Sequence, residues 1–112
     1  SVKDVALVNL YMLDHPEVSG IINVGTGCSR SFNDVALAVI NTCRAGCGEL
    51  ELSLQDAQQS EAIVYFPLPT ELSGKYQSFT EANISSLREV GYQEKFLDVE
   101  EGISHYLSER LN

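Results

Sequence analysis

The sequence predicts a small α/β domain, close to α+β in character, with a sheet of two or three strands covered by about four helices. Three observations carry that reading. Apolar residues recur at helical spacing in several stretches, and short apolar runs bounded by Gly or Pro read as strands. The order is helix, strand, helix, a possible strand, strand, helix, helix, so the strands joined through the second helix are expected to be parallel with a right-handed crossover. At 112 residues, the chain is expected to form a single domain over 1–112. Such a domain buries roughly 65% of the surface its unfolded chain exposes, enough for one core. It does not suffice for a cofactor domain and a substrate domain together.

The first element, residues 4–13, has a helix's length and composition, with Asp4 as an acidic start and Pro16 just beyond its end. Val5, Ala6, Leu7, Val8, Leu10, Tyr11, Met12 and Leu13 leave only Asn9 to face water. A helix that is apolar nearly all round belongs inside a larger body, so a covering partner surface is expected. Gly20-Ile-Ile-Asn-Val-Gly-Thr-Gly27 reads as a short strand running into a glycine turn. Ser31 then opens the second helix, with Asp34 completing a capping-box pattern and Phe32, Val35, Ala36, Val39, Ile40 and Cys43 on one face. Gly46 or Gly48 ends it.

Leu50, Leu52 and Leu54 alternate with polar residues and suggest a strand, followed by a polar loop from Gln55 to Glu61. Ala62 to Phe66 reads as a further strand, closed by Pro67 and Pro69. Thr80 is placed as the cap of a short helix carrying Ile84, Leu87 and Val90, with Gly91 at its end. Asp98 and Glu101 frame the last helix, whose face is Val99, Ile103, Tyr106, Leu107 and Leu111.

The formal charge of −9 argues against several partners. A surface of that sign repels phosphate backbones and anionic lipid, so no nucleic acid and no membrane partner are expected. Acidic residues outnumber basic ones 7 to 3 over residues 1–60 and 9 to 4 over 61–112, so no charged tail exists. The three cysteines, Cys28, Cys43 and Cys47, are an odd number that fits a reducing cytoplasm better than a secreted disulfide framework. No signal peptide is visible, and Ser1 in place of Met points to a processed, tagged or excised start.

Several motifs invite chemistry, each with a plainer explanation. Gly25-Thr26-Gly27 sits between a strand and a helix, where backbone N–H groups can cradle phosphate, but the third glycine of a dinucleotide fingerprint is replaced by Arg30. A strand-to-helix turn without a ligand is favoured. His15 and His105 stand in no metal or nucleophile pattern and read as solvated surface residues. Cys43 and Cys47 are four apart without a second ligand pair, so core packing near a helix end is favoured over zinc. Cys28 has no base in view to activate it.

The segment from Pro67 to Thr80 carries the strongest site expectation. Lys75, Tyr76 and Gln77 follow Gly74 in a loop, combining a cation, an aromatic hydroxyl and an amide. That set suits an anionic or sugar ligand: Lys75 for a phosphate charge, Tyr76 for stacking or a hydroxyl bond, Gln77 for sugar hydroxyls. An ordinary surface loop with an anchoring tyrosine has the same composition.

The runs Asp4-Val-Ala, Val8-Asn9-Leu10, Gly20 to Gly27 and Ser31-Phe32 resemble the C-terminal part of extended short-chain dehydrogenase/reductase enzymes. The stretch Pro69 to Thr80, with Gly74-Lys-Tyr-Gln77 and Phe79-Thr80, narrows the resemblance to the branch that epimerises ADP-glycero-manno-heptose for lipopolysaccharide core-sugar synthesis. Ala82, Leu87, Gly91-Tyr92, Phe96, Val99, Glu101-Gly102 and Tyr106 extend it. Residues 44–61 look longer than that branch's usual connection.

The resemblance implies an NADP-dependent isomerase of the cytoplasm and a homo-oligomer. A sugar carbon is oxidised by hydride transfer and then reduced from its other face. It implies that Tyr76 contacts a nucleotide-diphosphate sugar. Lys75 stands where arginine is more usual, keeping the charge but losing the bidentate fork. The catalytic Tyr-x-x-x-Lys of the family is absent: His15, Pro69, Thr80, Phe96 and Arg110 stand four residues after the five tyrosines. The chain is therefore expected to be the substrate-side part of such an enzyme, with no catalytic or cofactor-binding residues and inactive alone. Its first helix is expected to meet the missing Rossmann domain or to self-associate. The alternative is a stand-alone, non-catalytic binding or oligomerisation module that keeps the fold.

Overall fold

The computed structural model describes residues 1–111, the side chain of Leu111 excepted, so the placing of Leu111 on the last helix's apolar face lies outside the described residues. Those residues form α1 (Val2–Asp14), α2 (Phe32–Gly46), α3 (Leu54–Gln59), α4 (Ser85–Glu89) and α5 (Val99–Leu111), with a short 3-10 turn at Thr70–Leu72. No strand occurs among the described residues, and the expected α/β sheet of two or three strands is not formed. The chain divides into two compact units, Ser1–Ser29 with Thr80–Asp98, and Arg30–Phe79 with Val99–Asn112.

Each missing strand has a local cause. A strand exists only through a ladder with a neighbour. The Gly20–Val24 run keeps a strand's alternation, with Ile22 against the core and Ile21 98% exposed, but its unit supplies no partner strand. Around Leu52 the ladder groups are taken by a side chain. Asn41 Nδ2 donates to the Leu52 carbonyl at 3.0 Å, and the Leu52 N–H donates to Asn41 Oδ1 at 2.9 Å. Arg44 Nε binds the Leu50 carbonyl at 2.7 Å. The polar run read as a loop is then α3, started by a capping box between Ser53 and Asp56. Residues 64–69 run without regular structure; just before them the Ile63 N–H is tied back to the Ala57 carbonyl at 3.0 Å.

In the first unit, α1 is fastened by its polar residues as much as its apolar ones. Buried Asp4 accepts from the Leu97 N–H at 3.3 Å. Tyr11 Oη donates to the Val90 carbonyl at 2.8 Å. That bond explains Gly91: its φ is +100°, and a Cβ there would lie 2.7 Å from Tyr11 Oη. Val8, Leu87, Tyr92 and Phe96 form the core, with Tyr11, Met12, Ile22 and Ile84 packed around it. Leu87 is completely buried, which contributes about 2 kcal/mol relative to exposure. Arg88 closes the far side, donating to the Tyr92 and Glu94 carbonyls and lying over the Tyr92 and Phe96 rings. Burial pushes the Tyr92 hydroxyl pKa up, with Glu94 and Asp4 adding to the shift and Arg88 opposing it. The helix read as capped by Thr80 is shorter than expected: α4 starts after Ile84, and Asn83 Oδ1 accepts from the Ser85 N–H at 3.0 Å.

The outward side of α1 stays apolar, with Val2, Val5, Leu7, Leu10 and Leu13 exposed, Leu13 at 75%. His15, expected at the surface, instead stacks on Tyr11 with ring centroids 4.0 Å apart, and its Nδ1 lies 2.8 Å from the Tyr11 carbonyl.

In the second unit, α2 packs against α5 and α3. Ser31 and Asp34 form the expected capping box, with Asp34 Oδ2 accepting from the Ser31 N–H at 2.8 Å. That bond and the Ser31 hydroxyl, helped by Arg30, hold the Asp34 carboxyl below its ordinary pKa. The inward face of α2 is not the expected one. Ala38 is buried, whereas Phe32, Val35, Val39 and Cys43 are exposed. An open groove of about 470 Å³ lies beside Ala38, with Asp34, Glu51 and Glu100 among its lining residues. Arg30 bridges Asp34 and Glu100.

Candidate functional site

The site residues lie on the segment between α3 and the end of the second unit's first stretch. Gly74, at φ +74°, turns the chain after the 3-10 turn, and the Lys75 N–H returns to the Leu72 carbonyl at 3.1 Å. Lys75, Tyr76 and Gln77 are all exposed, as the loop reading requires. Lys75 forms no ion pair among the described residues, whereas Gln77 also interacts within the chain. Tyr76 is 54% exposed, and its ring centroid lies 6.2 Å from that of Phe32, at 45°. Phe32 is the first residue of α2 and is 74% exposed.

Phe32 escapes the sequence reading because its spacing matches the helix face. The signal that marks it is position: a large aromatic in the first turn of a capped helix has no preceding turn to pack on. Two further side chains join this end of α2. Gln58 Nε2 donates to Tyr65 Oη at 2.9 Å, and Tyr65 Oη donates to Asn33 Oδ1 at 2.9 Å. The structure therefore brings Tyr76 to Phe32, whose chain neighbour Asn33 is bonded to Tyr65 and through it to Gln58. Exposed aromatic rings with hydrogen-bonding groups nearby can receive a planar or sugar-bearing ligand, and the Lys75 ammonium supplies charge for an anion.

The glycine turn is packed rather than open. A Cβ at Gly25 would lie 2.8 Å from Ala82 Cβ, and one at Gly27 would lie 3.2 Å from Ile84 Cδ1. Thr26 Oγ1 donates to the Cys28 carbonyl at 3.0 Å, and the Ser29 N–H donates to Glu81 Oε2 at 3.2 Å. Ala82 and Ile84 occupy the space beside Gly25 and Gly27, so these glycines serve the approach of residues 82–84.

No group of three or more His, Cys, Asp or Glu among the described residues could hold a metal ion. Cys28, Cys43 and Cys47 are all exposed, which corrects the core placement of Cys43 and Cys47. His105 is exposed, with Nδ1 3.5 Å from Glu109 Oε1. No helix among the described residues is long and apolar enough to cross a membrane.

No family model matches the chain. It is 54% identical over 111 residues, 99% of its length, to the ADP-L-glycero-D-manno-heptose-6-epimerase of Thiobacillus denitrificans (strain ATCC 25259 / T1). The chain spans 33% of that relative's length. At that identity along nearly every residue, the chain belongs to the family of ADP-L-glycero-D-manno-heptose-6-epimerases, of which it corresponds to a C-terminal portion.

Proposed function

We propose that this chain is the substrate-side portion of an ADP-heptose 6-epimerase-like enzyme of the cytoplasm and binds a nucleotide-diphosphate sugar through Tyr76, Lys75 and Gln77. The observation that carries the reading is Tyr76, exposed on the Gly74 loop and set against Phe32, with Lys75 beside it in sequence. The relative's name supplies the ligand class, an ADP-linked heptose. In this reading Lys75 meets the diphosphate as a point charge, Tyr76 presents its ring and hydroxyl, and Gln77 reaches the sugar hydroxyls.

The extended short-chain reductase ancestry implies NADP, yet the residues present do not fit it. The glycine turn is packed against Ala82 and Ile84, and no tyrosine is followed four residues later by lysine. No redox step is assigned to this chain. The hydride chemistry belongs to a cofactor-binding Rossmann portion, and the apolar outer side of α1 is where that portion packs in the working enzyme. Two observations support this docking: five large apolar side chains of α1 are exposed, and two thirds of the relative's length has no counterpart here. A second reading, a stand-alone module that self-associates through α1, draws on the same exposed face; sedimentation showing concentration-dependent dimers abolished by Leu13→Glu would favour it.

Titration of ADP-glucose into the 112-residue chain, followed by NMR, tests the binding reading. Saturable shifts are expected, with affinity lowered at least tenfold in Tyr76→Ala. Unchanged affinity in that variant would make Tyr76 a mere anchor and overturn the site.

A further inference from the structure

We propose that Asn33, oriented by Tyr65, reads the base of the nucleotide and selects adenine, with Phe32 and Tyr76 as its stacking surface. This rests on the nucleotide-sugar reading above and names the part of the ligand that the cluster at the start of α2 recognises.

The argument begins with an arrangement that burial does not explain. Gln58, Tyr65 and Asn33 come from α3, the following segment and α2, and they form a continuous hydrogen-bonded chain although Gln58 and Tyr65 are exposed. Ordering exposed side chains costs rotamer freedom without an apolar return. What the order yields is a fixed amide. Gln58 donates to the Tyr65 oxygen, so the Tyr65 proton points to Asn33 Oδ1, which sets Oδ1 as acceptor and Nδ2 as donor.

An amide fixed in this sense presents one acceptor lone pair and one donor side by side. Adenine offers the complement at its N6 amino group and N7, the pairing asparagine makes with adenine in nucleic acids. Guanine places two acceptors, O6 and N7, along the same edge, so the Oδ1 lone pair would oppose O6. Phe32 precedes Asn33 in the chain, and its ring with that of Tyr76 offers an open aromatic surface. Stacking there tolerates any base, so the choice of base falls to the amide.

The test compares ADP with GDP on the full 112-residue chain by NMR titration, alongside the Tyr76→Ala variant. ADP is expected to bind on the order of tenfold more tightly than GDP. Tyr65→Phe keeps the ring and removes the hydroxyl that orients the amide, and should bring the ADP-to-GDP ratio close to one. Asn33→Asp removes the donor and should lower ADP affinity; an acidic residue in the first turn suits the helix, so folding is retained. Equal affinities for ADP and GDP in the unaltered chain, or an ADP-to-GDP ratio that survives both substitutions, would overturn this inference. If Tyr76→Ala still abolishes binding in that case, the nucleotide-sugar reading stands. Absence of saturable binding by ADP, GDP and ADP-glucose would overturn both.

Discussion

The core around Leu87 and the segment from Ala62 to Phe79 use similar residues to opposite ends. Around Leu87, two aromatic rings, a valine and a leucine are closed off by Tyr11, Met12, Ile22 and Ile84, and the polar groups at the edge are spent on backbone carbonyls. Along residues 62–79, Val64, Tyr65, Phe66, Leu68, Leu72, Tyr76 and Phe79 are all exposed. Hydrophobicity alone does not distinguish the two regions. What differs is that the first has apolar neighbours on every side, while the second carries its aromatics on chain with no regular structure, interrupted by two prolines. One region stabilises the fold; the other is available to something outside it.

That contrast can be broken most readily from the core side. Leu87→Ala should lower stability by about 2–5 kcal/mol, because a fully buried leucine leaves a cavity that its aromatic neighbours cannot fill. Chemical denaturation followed by circular dichroism measures it, and a loss below 1 kcal/mol would mean that the core is not closed as described. A smaller loss, about 1 kcal/mol, is expected from Ser31→Ala, which removes the cap of α2. The same cap gives a pH signature. The Asp34 carboxyl titrates below its ordinary value of 3.8, so its stabilising contribution is complete above that range. It is lost as pH falls through the lowered folded value, and this step should shrink in the Ser31→Ala variant, which loses the hydroxyl bond but keeps the Ser31 N–H and Arg30. The smallest effect belongs to Tyr76→Ala, within about 0.5 kcal/mol of the parent chain, since the ring supports no core. A large loss of stability there would move Tyr76 from the ligand surface to the scaffold.

The longer helices were legible in the sequence, whereas α3, read as a polar loop, and the absence of a sheet were not. Ser31 and Asp34 announce the start of α2, Gly91 announces the end of the helix before it, and Leu87 lies on the predicted face. These are local signals, set by one turn of backbone. A strand is a statement about a neighbour, and the alternation at Gly20–Val24 or Leu50–Leu54 cannot say whether one is present. Asn41 shows the difficulty most directly, because a single side-chain amide eleven residues away takes the hydrogen bonds a partner strand would have made. The face of α2 was misplaced for a related reason. Periodicity marks an apolar stripe, but the buried residue of α2 is small Ala38, which lies off that stripe.

The candidate site was half legible. Lys75, Tyr76 and Gln77 could be picked out because a cation, a phenol and an amide adjoin a glycine turn. Phe32, Asn33 and Tyr65 could not, since their meeting depends on how residues 62–79 return to the start of α2.

Amide hydrogen exchange of the 112-residue chain, with and without ADP-glucose, tests the division between scaffold and ligand surface most directly. The slowest exchange is expected at residues 87–92, unchanged by the ligand, with added protection confined to residues 31–34 and 62–79. Added protection at Gly25–Gly27 with none at residues 62–79 would contradict the account and return the ligand to the glycine turn.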